Sequence, residues 1–313
     1  MIEAKPPLRV LLAAPRGFCA GVSRAIETVE AALSAYGPPV FVRHQIVHNP
    51  HVVTRLEAMG AVFIEQVSEA PCDRPLVFSA HGSPKSAHED AKSLGIKLID
   101  AACPLVLKVH TQVKRFIANG YHVVVIGHKG HAEVTGVMGQ AAPENFTLIE
   151  TLTEAAALSL PDQPLAYVTQ TTLSVDDTRA IINALRARFP DIVAPSREDI
   201  CYATSNRQNA VKAIAPSADT FCVIGDETSS NSKRLVEVAE VSGARRAILI
   251  GDPEEIDLMA FSGDHTIGVT AGASSPEELV EKLLTRLAGQ FSLDVETIET
   301  VREDVTFKLP GLQ

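Results

Sequence analysis

Three times along this chain a cysteine stands between an apolar run and a helical pattern, and that repetition limits what the chain can fold into. The first copy is Pro15-Arg16-Gly17-Phe18-Cys19-Ala20-Gly21-Val22, entered from the apolar run 10–14 and left through the helical pattern 24–33. The second is Ile99-Asp100-Ala101-Ala102-Cys103-Pro104, followed by a helical pattern over 107–118, and the third is Ile200-Cys201-Tyr202-Ala203, followed by one over 207–214. A single cysteine of this kind reads best as a buried thiol in a tight turn, with Gly17 and Gly21 admitting the crowded backbone. Three in register read otherwise. After each cysteine comes an apolar strand pattern, at 40–42, 123–127 and 221–225, that ends in a polar loop. From Cys19 to His48, Cys103 to His131 and Cys201 to Ser229 the distances are 29, 28 and 28 residues.

A second strand and polar loop follow in each copy: 76–79 before His81, 166–168 before Thr171 and 266–269 before Ser274. Helix starts are signalled next by Ser83-Pro84, by Ser174 with Asp177 three residues on, and by Ser275-Pro276 with Glu278. A period near one hundred residues is too long for a solenoid. The pattern predicts an α/β fold of three related units with parallel sheets, at 15–103, 104–197 and 8–14 plus 198–288, with a C-terminal tail over 289–313. Functional groups in such sheets collect beyond the carboxyl ends of the strands. Three copies arranged pseudo-threefold would turn their cysteines and polar loops toward one central place. Residues 8–14, 97–99 and 191–193 are the expected strands ahead of the three cysteines, and 8–14 is expected to pair within the third unit's sheet. Residues 1–7 read as a loose lead-in, and 293–301 with 304–309 as a stabilising hairpin without counterpart in the earlier units.

The bulk numbers are those of an ordinary globular chain: 313 residues, 46% hydrophobic and 21% charged. A net charge of −10 and the absence of any Lys/Arg-rich block argue against a nucleic-acid partner. No segment reaches the roughly 18 apolar residues of a membrane span. The N-terminus lacks the pattern of a signal peptide, so a cytoplasmic protein is expected. Five widely spaced cysteines do not make a disulfide framework, which leaves metal binding, catalysis or burial.

Cys19, Cys103 and Cys201 lack CxxC spacing, so their register within the repeat is what marks them; three thiolates suit zinc or an iron–sulfur cluster. Cys222, inside an apolar strand pattern, reads as core, and Cys72 as a loop thiol. His81 sits at a strand end before a helix start, where free N–H groups and the helix dipole favour an anion. His48, His131, Ser229, Ser230, Asn231 and Ser274 occupy matching loops and are donors suited to phosphate oxygens. No Walker-type loop is present, which disfavours a nucleoside triphosphate. Glu133, in a Gly/His-rich loop, is a candidate proton donor, and Thr171 a hydroxyl able to position a substrate OH or relay a proton. His44, His51 and His128 fall off the register and are read as structural.

These residues lie in PRGFCAGV, VRHQIVHN, SAHGS, CPLV, GHKGHAEV, TQTTLSVDDT, ICYATSNRQ, SSNS and TAGASSP. In that order, over residues 8 to about 287, they resemble the 4-hydroxy-3-methylbut-2-enyl diphosphate reductase family of the non-mevalonate isoprenoid pathway. The resemblance implies a three-lobed α/β fold and a 4Fe–4S cluster on Cys19, Cys103 and Cys201 with one open iron. It implies diphosphate contacts from His48, His81, His131, Ser229, Ser230, Asn231 and Ser274, with Glu133 as proton donor and Thr171 beside the substrate hydroxyl. The activity implied is reductive dehydroxylation to isopentenyl and dimethylallyl diphosphate. Electrons are expected from a ferredoxin or flavodoxin, because no flavin or nicotinamide fingerprint is present. Ala102, Ala132 and Thr228 depart from the family's pattern, and none is an implied ligand. Two rivals are a quinolinate-synthase-like enzyme on a similar plan, against which Ser229-Ser230-Asn231 and His131-x-Glu133 argue, and a non-enzymatic cluster sensor.

Overall fold

A computed structural model describes residues 5–261 and 266–312. In chain order the elements are β1 (Pro7–Ala14), α1 (Ala20–Tyr36), β2 (Val40–Arg43), α2 (Pro50–Ala58), β3 (Ala61–Ile64), β4 (Leu76–Phe78), α3 (Lys85–Ser93), β5 (Leu98–Asp100) and α4 (Pro104–Ala118). There follow β6 (His122–Ile126), α5 (Ala132–Met138), β7 (Phe146–Ile149), α6 (Leu152–Ala157), β8 (Leu165–Thr169), α7 (Val175–Arg188) and α8 (Tyr202–Ile214). The chain closes with β9 (Thr220–Ile224), α9 (Ser230–Val241), β10 (Arg246–Ile250), β11 (Thr266–Ala271), α10 (Glu277–Gln290) and β12 (Ser292–Glu299). It divides into two compact units. One holds the chain up to Cys19, His48–Pro50 and Tyr202–Val305, and the other holds Ala20–Val47, His51–Cys201 and the chain from Thr306.

The first unit is built on a five-stranded sheet in the order β10-β9-β11-β1-β12, and its strand pairs are parallel. Alternation in β1 and β9 explains its two cores. Leu8, Val10, Leu12, Cys222 and Ile224 face one side, covered by Leu279, Val280, Leu283 and Leu287 of α10. Leu11, Ala13, Phe221 and Val223 face the other, against Ala210 and Val211 of α8 and Leu235 and Ala239 of α9. Both faces of a parallel sheet must be covered, which is why these strands read as nearly continuous apolar runs. The expected pairing of β1 with the strands after Cys201 is present, with Leu11 opposite Gly268.

The second unit carries two parallel sheets, β3-β2-β4-β5 and β7-β6-β8. Val123 and Val125 of β6 pack with Val109 and Val113 of α4 and Val134 of α5, while Val124 and Ile126 pack with Ile181 and Leu185 of α7. Leu76 and Phe78 of β4 lie against Ala87 and Ala91 of α3. The chain is thus an α/β protein with three parallel sheets.

Three sequence expectations need correction. Residues 191–193 make no strand: a single bridge joins Val193 to Ala166, because the segment touches the edge of β8 for one residue before turning away. The tail is no hairpin. β12 pairs in parallel with β1 along its whole length, from Pro7 opposite Ser292 to Ala14 opposite Glu299, and residues 300–312 form no regular element. Its alternating pattern marks an edge strand, half of whose backbone groups find partners on β1. The lead-in over 1–7 lies partly outside the described residues, and Pro7 already belongs to β1.

Candidate active site

In the first unit, the Cys19 turn is stitched to the loop after β11: Gly17 N–H donates to Ala271 O at 3.1 Å and Cys19 N–H to Ala273 O at 3.2 Å. Gly17 has φ +69°, and a Cβ there would stand 3.3 Å from Ser275 O, so the turn suits glycine. The Ser229 loop enters α9, and Ser229 is the N-cap of that helix, its Oγ accepting from Ser232 N–H at 3.3 Å. Ser232 also donates its hydroxyl to Ser229 Oγ at 3.1 Å. Its side chain is wedged between Gly225 and Gly272, where any Cβ would collide with its Oγ, so α9 begins hard against the ends of β9 and β11. Asn231 Oδ1 accepts from Ala273 N–H at 2.8 Å, and Ser274 Oγ donates to His48 O at 3.1 Å. These bonds gather Cys19, His48, Ser229, Ser230, Asn231 and Ser274 at one end of the sheet.

Two features suit this end to an anion. Asn231 is 4% exposed, yet among the described residues its Nδ2 has no hydrogen-bond partner. A buried amide left so costs about 1–3 kcal/mol, which a phosphate oxygen would recover. Ser229 Oγ accepts two bonds from Ser232 and also meets Ser274 Oγ at 3.4 Å, so its own proton is shared between Ser274 and any anion bound there. Both stand on the first turn of α9, where N–H groups lack acceptors inside the helix and the dipole favours negative charge.

The second unit holds the acid. Glu133 is 2% exposed; its Oε1 accepts from Thr171 N–H at 2.7 Å and its Oε2 from Thr171 Oγ–H at 2.9 Å. Burial pushes its carboxyl up to about 7, outweighing the two Thr171 bonds, and the negative charge of buried Asp199 pushes the same way. Thr171 O in turn accepts from Cys201 N–H at 3.1 Å, which ties the acid to the third cysteine through one residue. His131 is the N-cap of α5, with Nδ1 accepting from Glu133 N–H at 3.2 Å, so the neutral ring carries its proton on Nε2. His81 lies edge-on to it, with ring centroids 6.1 Å apart. Gln140 Nε2–H donating to Ser83 O at 3.0 Å and Lys85 N–H to Gly139 O at 3.0 Å hold the His81 loop on α5. Cys103 caps α4, and its N–H donates to Ala80 O at 3.0 Å, one residue from His81. His81, Cys103, His131, Glu133, Thr171 and Cys201 therefore belong to one connected set of loops.

The five cysteines separate by environment. Cys19, Cys103 and Cys201 are half-buried, each immediately preceding a helix. Cys222 is fully buried and its thiol is pushed up to about 12 by burial; Cys72 is exposed. Among the described residues no three His, Cys, Asp or Glu side chains converge on a point that would hold one metal ion. Ligands to separate irons of one cluster need no such convergence. Sequence reading put His131 and Ser229 in the same kind of loop as His81, at a strand end ahead of a helix, but did not identify them as caps. The signal was present as Ser229 with Ser232 and as the polar residue ahead of an apolar periodic run. It also missed Asp199, whose Oδ2 accepts from Thr169 N–H at 3.1 Å beside the acid. His128, read as structural, pairs with Glu150 at 3.5 Å.

Cysteines at helix starts, a buried acid near neutrality and helix ends suited to anions mark an α/β enzyme acting on a small anionic substrate. The chain belongs to the LytB protein family, whose sequence model matches residues 10–288. It is 57% identical over 310 residues to the 4-hydroxy-3-methylbut-2-enyl diphosphate reductase of Phenylobacterium zucineum, covering 99% of this chain and 98% of that one. Among solved structures, the E-1-hydroxy-2-methyl-but-2-enyl-4-diphosphate reductase from Plasmodium falciparum matches with a TM-score of 0.91 and 37% identity, over 98% of this chain and 96% of that one. A second structure, (E)-4-hydroxy-3-methyl-but-2-enyl diphosphate reductase, described as the terminal enzyme of the non-mevalonate pathway, matches with a TM-score of 0.63 and 31% identity, over 90% and 99% of the two chains. Among the described residues no helix is long and apolar enough to cross a membrane.

Proposed function

We propose that this chain is a 4-hydroxy-3-methylbut-2-enyl diphosphate reductase, a cytoplasmic enzyme of the last step of the non-mevalonate isoprenoid pathway. The observation that carries the reading is the Glu133–Thr171 pair. A carboxyl pushed up to about 7 is half protonated at neutral pH, and both its oxygens are fixed on one threonine. In this reading residues 15–103, 104–197 and 8–14 with 198–288 are three related units, each contributing one cysteine, and 289–313 is the tail. Cys19, Cys103 and Cys201 would hold a 4Fe–4S cluster. When bound with one iron open, such a cluster supplies a Lewis acid and two electrons, one at a time.

The chain's own residues do the rest. Asn231 Nδ2, Ser229, Ser230 and Ser274 hold the diphosphate with His48, His81 and His131, which places the allylic end of the substrate away from these donors. The reaction breaks the C–O bond, consumes two electrons and two protons, and releases water with isopentenyl or dimethylallyl diphosphate. Hydroxide leaves poorly, so the oxygen needs a proton as the bond breaks. Protonated Glu133 donates from Oε2 to Thr171 Oγ, and the threonine passes its own proton on to the substrate oxygen. The electrons come from a ferredoxin or flavodoxin. Anaerobic purification tests the reading: about four irons and four sulfides per chain, and conversion of the allylic substrate to both five-carbon products by a chemical reductant. A chain free of iron, or an iron-loaded chain that leaves the substrate intact, would overturn it.

The anion site has its own expected outcome. Charge-assisted hydrogen bonds to phosphate contribute roughly 1.5–3 kcal/mol each. Asn231→Ala should weaken substrate binding by about one to two decades while iron content stays parental. Calorimetric affinity equal to the parent's would place the diphosphate elsewhere.

A further inference from the structure

Two buried arginines outside the catalytic set carry the same arrangement, and both involve the irregular tail. Arg207, on α8 in the first unit, is 1% exposed. Its Nε and Nη2 donate to Gly17 O at 3.1 and 2.8 Å, and Nη2 also reaches Phe18 O at 3.4 Å. These are the two carbonyls immediately ahead of Cys19. Nη1 donates to Ala203 O at 3.0 Å and pairs with both carboxylate oxygens of Glu303, at 3.1 and 3.3 Å. Asn206 Nδ2 steadies Glu303 with a 3.0 Å bond to Oε1. In the second unit, Arg24 of α1 is 8% exposed; its Nη1 donates to Ala102 O at 2.9 Å, the carbonyl immediately ahead of Cys103, and its Nε donates to Lys308 O at 2.8 Å.

The chemistry of guanidinium explains the choice. A planar fork of five N–H groups saturates several carbonyls in one fixed geometry, which a lysine does not. A buried guanidinium must also be paired, because an uncompensated buried charge is strongly unfavourable. Glu303 supplies that pairing for Arg207. The Cys19 and Cys103 turns are therefore each clamped at a preceding carbonyl by an arginine that the tail also engages. Cys201 is held differently, through its N–H on Thr171 O.

We propose that Glu303, acting through Arg207, and the 308 carbonyl, acting through Arg24, are positioning elements that hold the Cys19 and Cys103 turns in the conformation that receives the cluster. This rests on the reading of those cysteines as iron ligands. The test uses the full-length chain as parent, Glu303→Gln and Arg24→Lys. After iron removal each is labelled with iodoacetamide, and every cysteine is followed by mass spectrometry. Glu303→Gln should speed labelling of Cys19 by about tenfold, and Arg24→Lys that of Cys103, as each turn opens locally. Cys201 should stay within about twofold of the parent, exposed Cys72 serves as the standard, and core Cys222 should remain unlabelled. In anaerobically purified protein both variants should lose iron faster to a chelator. Unchanged Cys19 labelling in Glu303→Gln overturns the proposal, and so does a uniform rise at Cys19, Cys103 and Cys201, which is what a merely loosened fold produces. Should Cys222 label in Glu303→Gln, the milder Asn206→Ala decides: a rise at Cys19 alone supports the proposal and a parental pattern overturns it. A parent without iron but with the expected labelling pattern overturns the ligand reading and leaves the positioning intact.

Discussion

Glu133→Gln should lose turnover by about 10²–10⁴-fold, the usual contribution of a general acid, while keeping iron and substrate binding. Glutamine matches glutamate in size, and its Oε1 can still accept from Thr171 N–H. Its NH₂ group cannot give up a proton, and it presents a donor to Thr171 Oγ where the carboxylate presented an acceptor. The relay is thereby cut at its source without opening a cavity. The parent should show the matching pH dependence. An acid must be protonated to act, so turnover should fall as pH rises through about 7, approaching tenfold per pH unit above it. Stability carries an independent signature. The folded value lies above the ordinary 4.5, so the stabilisation is fully present below about 4.5 and is lost as pH climbs to about 7. The parent thus gives up about 3 kcal/mol over that window that Glu133→Gln does not. Steady-state reduction with a chemical donor and thermal unfolding at pH 4.5 and 8 measure both. Near-parental turnover would move the proton source to another group, with the substrate's own diphosphate the next candidate.

Cys19→Ser, Cys103→Ser and Cys201→Ser should each lose the cluster, with iron content falling at least about tenfold, because a serine hydroxyl is a hard, poorly ionised donor to iron. Reductase activity should vanish with it. Cys72→Ser should hold parental iron, since that side chain is exposed. Cys222→Ala should do so too, since its thiol lies in the apolar core against α10 and is pushed up to about 12. Normal iron in any of the first three variants would break the assignment. Loss of iron in Cys72→Ser would do the same from the other side.

What could be read from the sequence was whatever residues near one another in the chain decide. A cysteine ahead of a helical period, an apolar run long enough for one strand, and Ser174 placed three residues before Asp177 are local signals, and the structure has all three, the last with Asp177 N–H on Ser174 Oγ at 3.2 Å. Parallel sheets followed from strands alternating with helices, and runs such as Val123–Ile126 are apolar at every position because both faces are covered. The local signal failed at 191–193 and at the tail, where three apolar residues or an alternating stretch fit several partners equally well. Whether such a segment makes one bridge to Ala166 or a full edge strand on β1 depends on residues far away in the chain. The acidity of Glu133 was beyond the sequence for the same reason. Its raised value comes from desolvation set against two opposing bonds from a threonine 38 residues on, and neither exists until distant segments pack. Nothing local singles out Arg24 or Arg207; burial and the tail carbonyl and carboxylate give them partners 284 and 96 residues away. Propensity and capping act over a few residues, so the chain itself determines them; burial, electrostatics and long-range hydrogen bonds depend on the packed surroundings, so only the tertiary structure decides them.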